Sequence, residues 1–146
     1  MFTGRFEYII DEKSRVSIPA KFREVLSTAH DLRLILTNLD GCIVAYPYTE
    51  WVNIQETISQ KGPMRKEARA FMRYYYSAAT ECPLDKLGRI LVPQTLKGTA
   101  QIKKNVVIIG VGKKIEIWAK EKWEELVQQA TADPDQIADI VSELGL

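Results

Sequence analysis

Histidine and cysteine are the scarcest chemistry-bearing residues here, with one His and two Cys among 146 residues. Cys42 and Cys82 are too few for a disulfide framework and lack metal-site spacing. His30 lies in the polar stretch Ser27-Thr-Ala-His30-Asp31, where a solvated side chain is the ordinary reading. These shortages count against zinc chemistry and against any triad that needs His. No apolar run approaches the ~18–20 residues that a membrane span requires. The opening Met1-Phe-Thr-Gly-Arg5-Phe-Glu7 sets charges among its apolar residues, unlike a signal-peptide core, so a cytoplasmic location is expected. A large net charge is also missing, the balance being +1.

What is present is an ordinary globular composition, 46% hydrophobic and 27% charged. Its charge is unevenly spread. Residues 1–112 hold 16 Lys+Arg against 11 Asp+Glu, and residues 113–146 hold 4 against 8. A basic body with an acidic tail suits one surface for an anionic polymer and another facing elsewhere.

The chain also repeats itself. Shifted by 74 positions, Asp11, Arg15 and Pro19 fall on Asp85, Arg89 and Pro93, with Val16/Ile90, Phe22/Leu96 and Arg23/Lys97 as conservative pairs. Shifted by 72, Leu34–Leu36 fall on Val106–Ile108, Tyr46 on Trp118 and Trp51 on Trp123. A two-residue deletion between the blocks reconciles the shifts. The pattern predicts two like halves near 1–60 and 75–130, a basic linker or helix at 61–74, and a C-terminal helix at 131–146.

Each half predicts the same order of elements. An alternating strand leads to a polar turn, Asp11–Ser14 or Asp85–Gly88, and then to a short strand. Gly88 suits positive φ, whereas Ser14 there would cost about 1 kcal/mol. Pro19 and Pro93 are expected to occupy the first position of a short helix. A hairpin follows, and then a helix begun near Trp51 or Trp123. Trp123, Leu126, Val127 and Ala130 recur at helical spacing as an expected buried face. In the tail, Asp133-Pro134 reads as a helix start, with Ile137, Ile140, Val141 and Leu144 on one side. Tyr74-Tyr75-Tyr76 is expected as strand core.

The paired Asp-x-x-x-Arg motifs are the leading functional candidates. Asp11 and Asp85 can accept N–H bonds within their turns, as motif-structuring residues. Arg15 and Arg89 can either pair with them or present donors to phosphate and guanine. Arg5, Lys13 and Lys86 lie close by in sequence and complete the expected DNA-binding set. Lys21 and Arg23 also lie close by, but read more readily as a solvated helix face. Asp11, Glu12 and Asp85 could be cast as a catalytic carboxylate group, but each stands beside a basic residue, so no enzyme is expected.

At these residues the chain resembles the MraZ family, within the AbrB-like group of swapped-hairpin proteins. The likeness runs through Met1–Phe6, Asp11–Arg23, Leu39–Cys42, Ala70–Arg73, Leu84–Pro93 and Ile115–Trp118, with Ser14 standing where the family more often has Gly. It implies an α+β, β-rich fold: two tandem AbrB-like swapped-hairpin halves forming a pseudo-symmetric β-barrel with flanking short helices. It implies a sequence-specific, DNA-binding transcriptional regulator, acting as a ring-shaped homo-oligomer on short tandem repeats upstream of division and cell-wall genes. Arg15 and Arg89, with Lys13 and Lys86, would lie at the binding face. Double-stranded DNA and self are the implied partners, at the nucleoid, with no cofactor, metal, membrane or small-molecule substrate. An antitoxin-like AbrB protein and a scaffold without nucleic acid remain alternatives.

Overall fold

The computed structural model describes residues 1–146. The first half runs β1 (Arg5–Ile9), β2 (Arg15–Ser17), α1 (Ala20–Thr28), β3 (Arg33–Leu39), β4 (Cys42–Pro47) and α2 (Tyr48–Ser59). A helix outside the repeat follows, α3 (Lys66–Ala78). The order then recurs as β5 (Thr80–Pro83), β6 (Arg89–Leu91), α4 (Gln94–Thr99), β7 (Asn105–Val111), β8 (Lys114–Ala119) and α5 (Lys120–Ala130), with α6 (Pro134–Leu144) at the end. The duplicated order read from the sequence is thus duplicated structure.

Two hairpins form the centre. Asp40 and Gly41 both take positive φ and close β3 onto β4, the backbone that a two-residue hairpin turn favours. β7 and β8 make the matching hairpin, and β4 pairs with β8 to join the two. The outer strands are exchanged: β1 pairs with β7 of the other half, and β5 with β3. The result is an antiparallel sheet in the order β1-β7-β8-β4-β3-β5, while β2 and β6 pair only with each other.

The expected barrel does not close. β1 and β5 are free edges of a six-stranded sheet, and the three-residue strands β2 and β6 form a separate ribbon. The chain leaves each edge at the Asp-x-x-x-Arg turn, which closes on its own backbone bonds before the chain pairs across the ribbon.

The sheet packs on both faces. On one side Leu34, Leu36, Ile43, Val106, Ile108 and Ile117 meet Val16 and Ile90 of the ribbon, Phe22 of α1 and Leu96 of α4. Phe22 is fully buried with edge contacts to Phe2 and Phe6 at 5.3 Å, burial that contributes ~1.5–3 kcal/mol. On the other side Val44, Tyr46, Val107 and Trp118 meet Tyr75 of α3, with Trp51 of α2 and Trp123 of α5 beside them. The ribbon therefore sits across the sheet from α2, α3 and α5.

Several local expectations change. Tyr74–Tyr76 are helical, because Ala68, Met72 and Tyr75 recur at helical spacing and turn inward; Tyr74 and Tyr76 are exposed. Pro19 and Pro93 stand one position earlier than expected, as extended caps with ψ near 139° and 138°. Trp123 packs on Trp118, but Leu126 and Val127 are each 37% exposed, so the expected buried face of α5 is only partly covered. In α6 the Asp133 side chain accepts the N–H groups of Asp135 and Gln136, with Pro134 in the first turn as read from sequence. Its apolar side stays open: Ile140, Val141 and Leu144 are exposed. No helix is long and apolar enough to cross a membrane.

Candidate nucleic-acid interface

The ribbon decides which way the motif arginines face. Arg15 pairs with Leu91, Val16 with Ile90, and Ser17 with Arg89. Val16 and Ile90 are buried in the core, so strand alternation sends Arg15, Ser17, Arg89 and Leu91 outward. Arg15 and Arg89 occupy diagonal positions, a spacing of roughly 7–8 Å on a two-stranded ladder.

Each arginine emerges from a turn built by its aspartate. In the first turn, Asp11 Oδ1 accepts the backbone N–H of Lys13 at 2.9 Å and of Arg15 at 2.8 Å. Its Oδ2 accepts Arg15 Nε at 2.8 Å. In the second, Asp85 Oδ1 accepts the N–H of Leu87 and of Arg89 at 2.9 Å, and Oδ2 accepts Arg89 Nε at 3.0 Å. Backbone donation from Arg15 and Arg89 is the main cause that holds both carboxyl groups below their ordinary pKa, reinforced by the guanidinium bonds. The pairing reading of the motif is seen directly, and it leaves the other edge of each guanidinium open. The aspartate binds the Nε edge, while the Nη1 and Nη2 donors of both arginines have no partner within the chain.

The third turn position differs between the halves. Ser14 takes φ 62° and Gly88 takes φ 76°. Ser14 is buried, and its Oγ accepts Gln94 Nε2 at 2.6 Å and Lys97 Nζ at 3.4 Å. At Gly88 the space is taken by Arg23, whose Cδ would lie 2.6 Å from an added Cβ. Each turn is thus backed by the helix of the opposite half. Gln94 and Lys97 were not among the site candidates read from sequence; the Arg23/Lys97 match between repeats was their only signal.

Lys13 and Lys86 lie exposed on the two turns without ion pairs, beside the arginines. Arg5 is not brought there. It alternates with Phe6, which packs on Phe22, so Arg5 points to the other face, beside Trp123, Glu124 and Val127. Leu87 and Leu91 are apolar and exposed, 69% and 61%, on the turn and ribbon that carry Arg89. An open groove of about 460 Å³ runs beside the ribbon between Arg15, Arg89, Leu91 and the β5 residues Glu81 and Cys82. No group of three His, Cys, Asp or Glu side chains is placed to hold a metal ion. Cys42 and Cys82 are free and buried, and burial pushes the Cys82 thiol up to about 11.

Comparison with known proteins agrees with the motif pattern. The family model described as "MraZ protein, putative antitoxin-like" matches residues 1–74 and 75–139. A protein from Pelotomaculum thermopropionicum named transcriptional regulator MraZ is 44% identical over 147 residues, covering 100% of this chain and 99% of its own. Like-named proteins from Lactiplantibacillus plantarum and Clostridium tetani are each 43% identical, covering 95% and 100% of this chain and 96% and 100% of their own. With both repeats matched and full-length relatives well above 30% identity, this chain belongs to the MraZ family.

Proposed function

We propose that this chain is a sequence-specific transcription regulator that reads duplex DNA with the β2–β6 ribbon. The observation that carries the reading is the pair of free Nη edges, Arg15 and Arg89, on one outward ribbon face. A two-stranded ribbon fits the major groove, and a guanidinium edge matches guanine O6 and N7. Asp11 and Asp85 hold those edges in place before binding, which lowers the ordering cost. Lys13 and Lys86 extend the face along the backbone phosphates, whereas Arg5 stands apart on the other side of the sheet.

The relatives' printed name supports regulation as the role, with no catalysis, cofactor or small-molecule substrate needed. In this reading the protein works in the cytoplasm at the nucleoid, as a ring-shaped homo-oligomer on short tandem repeats upstream of division and cell-wall genes. It consists of repeats at residues 1–60 and 75–130, a basic link at 61–74 and a terminal helix at 131–146. Assembly has two supports. Residues 123–146 hold six acids and no Lys or Arg, and residues 61–73 hold five cations and one acid; none of these charges is ion-paired within the chain. The open apolar side of α6 adjoins those acids. A head-to-tail contact between unlike surfaces is the kind that closes into rings. Spaced repeats would then be held with avidity gains of roughly 10²–10⁴.

The test is fluorescence-anisotropy titration of a labelled duplex from upstream of the chain's own gene, against a scrambled duplex. Tight binding that prefers the native duplex, and is lost in Arg15→Ala/Arg89→Ala with an unchanged circular-dichroism spectrum, is expected. Equal weak binding to both duplexes overturns sequence reading. Sedimentation as a monomer at micromolar concentration overturns the ring.

A further inference from the structure

The motif arginines are poor sources of attraction for a polyanion, since each shares its charge with an aspartate at 2.8–3.0 Å. Binding driven by phosphate neutralisation needs cations whose charge is not already met. Two stand directly behind the turns. Arg23 of α1 lies over Gly88, and Lys97 of α4 lies over Ser14. They are equivalent positions of the repeat, 74 residues apart, and each crosses to the other half's turn.

Neither has a carboxylate partner in the chain. Their contacts are to neutral oxygens: Arg23 Nε donates to the Ile18 carbonyl at 3.1 Å, and Lys97 Nζ donates to Ser14 Oγ at 3.4 Å. Both residues are half-buried rather than free in solvent. A long cation so held keeps its full charge while part of its rotamer freedom is already lost, which suits it to grip phosphate at low entropic cost. An ordinary solvated lysine keeps the charge but has none of this restraint.

We propose that Arg23 and Lys97 are a pair of phosphate-holding residues, one beside each motif arginine, and that Ser14 is a positioning residue for Lys97. The inference rests on the DNA-binding reading and divides the labour within it. Arg15 and Arg89 choose the sequence, and Arg23 and Lys97 supply the salt-dependent grip. The two grips differ. A planar guanidinium backs the second turn, and a point-charge ammonium donating to Ser14, whose hydroxyl also accepts from Gln94, backs the first, so the repeat meets DNA asymmetrically.

The experiment measures Kd for the native upstream duplex and its scrambled form between about 50 and 200 mM salt. Arg23→Met and Lys97→Met are each expected to lower the slope of log Kd against log salt by about 1, with preference for the native duplex retained. Arg15→Ala and Arg89→Ala are expected to remove the preference and leave most of the slope. Should Arg23→Met fail to fold over Gly88, Arg23→Gln removes the charge while retaining a donor. Ser14→Ala is expected to weaken binding only while Lys97 is present, with no further loss in the Lys97→Met background. Slopes unchanged in the folded Arg23 and Lys97 variants overturn the phosphate assignment even if the duplex is bound specifically. Equal Ser14→Ala losses with and without Lys97 overturn the positioning role. A wild-type chain with no duplex preference instead overturns the DNA reading beneath it.

Discussion

At the first turn a serine occupies a left-handed backbone position, and at the second a glycine does, yet the aspartate and arginine geometry around them is almost the same. The distances from Asp11 and Asp85 to their donors agree to within 0.2 Å. What differs lies behind the turn. Ser14 has its hydroxyl engaged by Gln94 and Lys97, whereas at Gly88 the Arg23 side chain fills the space a Cβ would need. The turn shape comes from the aspartate bonds, and the residue tolerated at its third position is set by a helix from the other half. The outward residues differ too, Ser17 in one ribbon strand standing where Leu91 stands in the other. One scaffold therefore presents two unlike outward edges.

The largest expected effect contrasts the helices behind the turns. Phe22→Ala should cost about 3–5 kcal/mol and Leu96→Ala about 2–5 kcal/mol, read by urea denaturation. Phe22 has two ring partners and sits in a nine-residue helix; Leu96 sits in one of six residues. A larger loss for Leu96→Ala would show that the second half carries more of the core.

Next comes the third turn position itself. Gly88→Ala should cost about 1–2 kcal/mol from the left-handed backbone, with Arg23 forced to move. Ser14→Gly should change stability by less than about 1 kcal/mol, because relief of backbone strain offsets a lost hydrogen bond of ~0.5–1.5 kcal/mol. Similar losses for both would mean that the turns are not separately backed.

The smallest effect is with acid. Asp11 and Asp85 have pKa values lowered below the ordinary 3.8, so each favours the folded chain at pH values above 3.8. That contribution declines as pH falls below 3.8 and is gone below the folded values. A urea midpoint followed from pH 5 to pH 2 should fall less steeply in Asp11→Asn/Asp85→Asn than in the native chain. Parallel curves would show that the carboxylates do not contribute through ionisation.

Much of this was legible from local pattern. The duplicated order, both hairpins, the left-handed site at Gly88 and the Asp133 cap all depend on residues near each other in sequence. The Tyr74–Tyr76 run misled because three consecutive aromatics carry no period of their own. Its true period, Ala68, Met72 and Tyr75, is visible only when the helix is anchored against β3 and Trp51. The expected burial of Leu126 and Val127 failed for a related reason: an apolar stripe states that a face wants cover, not that this chain supplies it.

The amino-acid sequence by itself determined the repeat, the turn chemistry of Asp11–Arg15 and Asp85–Arg89, and the family, since each rests on residue identity at short spacing. Only the tertiary structure decided that β1 and β5 trade places and that the sheet stays open. It also decided that Arg5 faces away from the ribbon, and that Arg23 and Lys97 cross to the opposite turns. Those outcomes depend on which distant strands share hydrogen bonds, and a one-residue change of pairing reverses the face of every side chain on a strand.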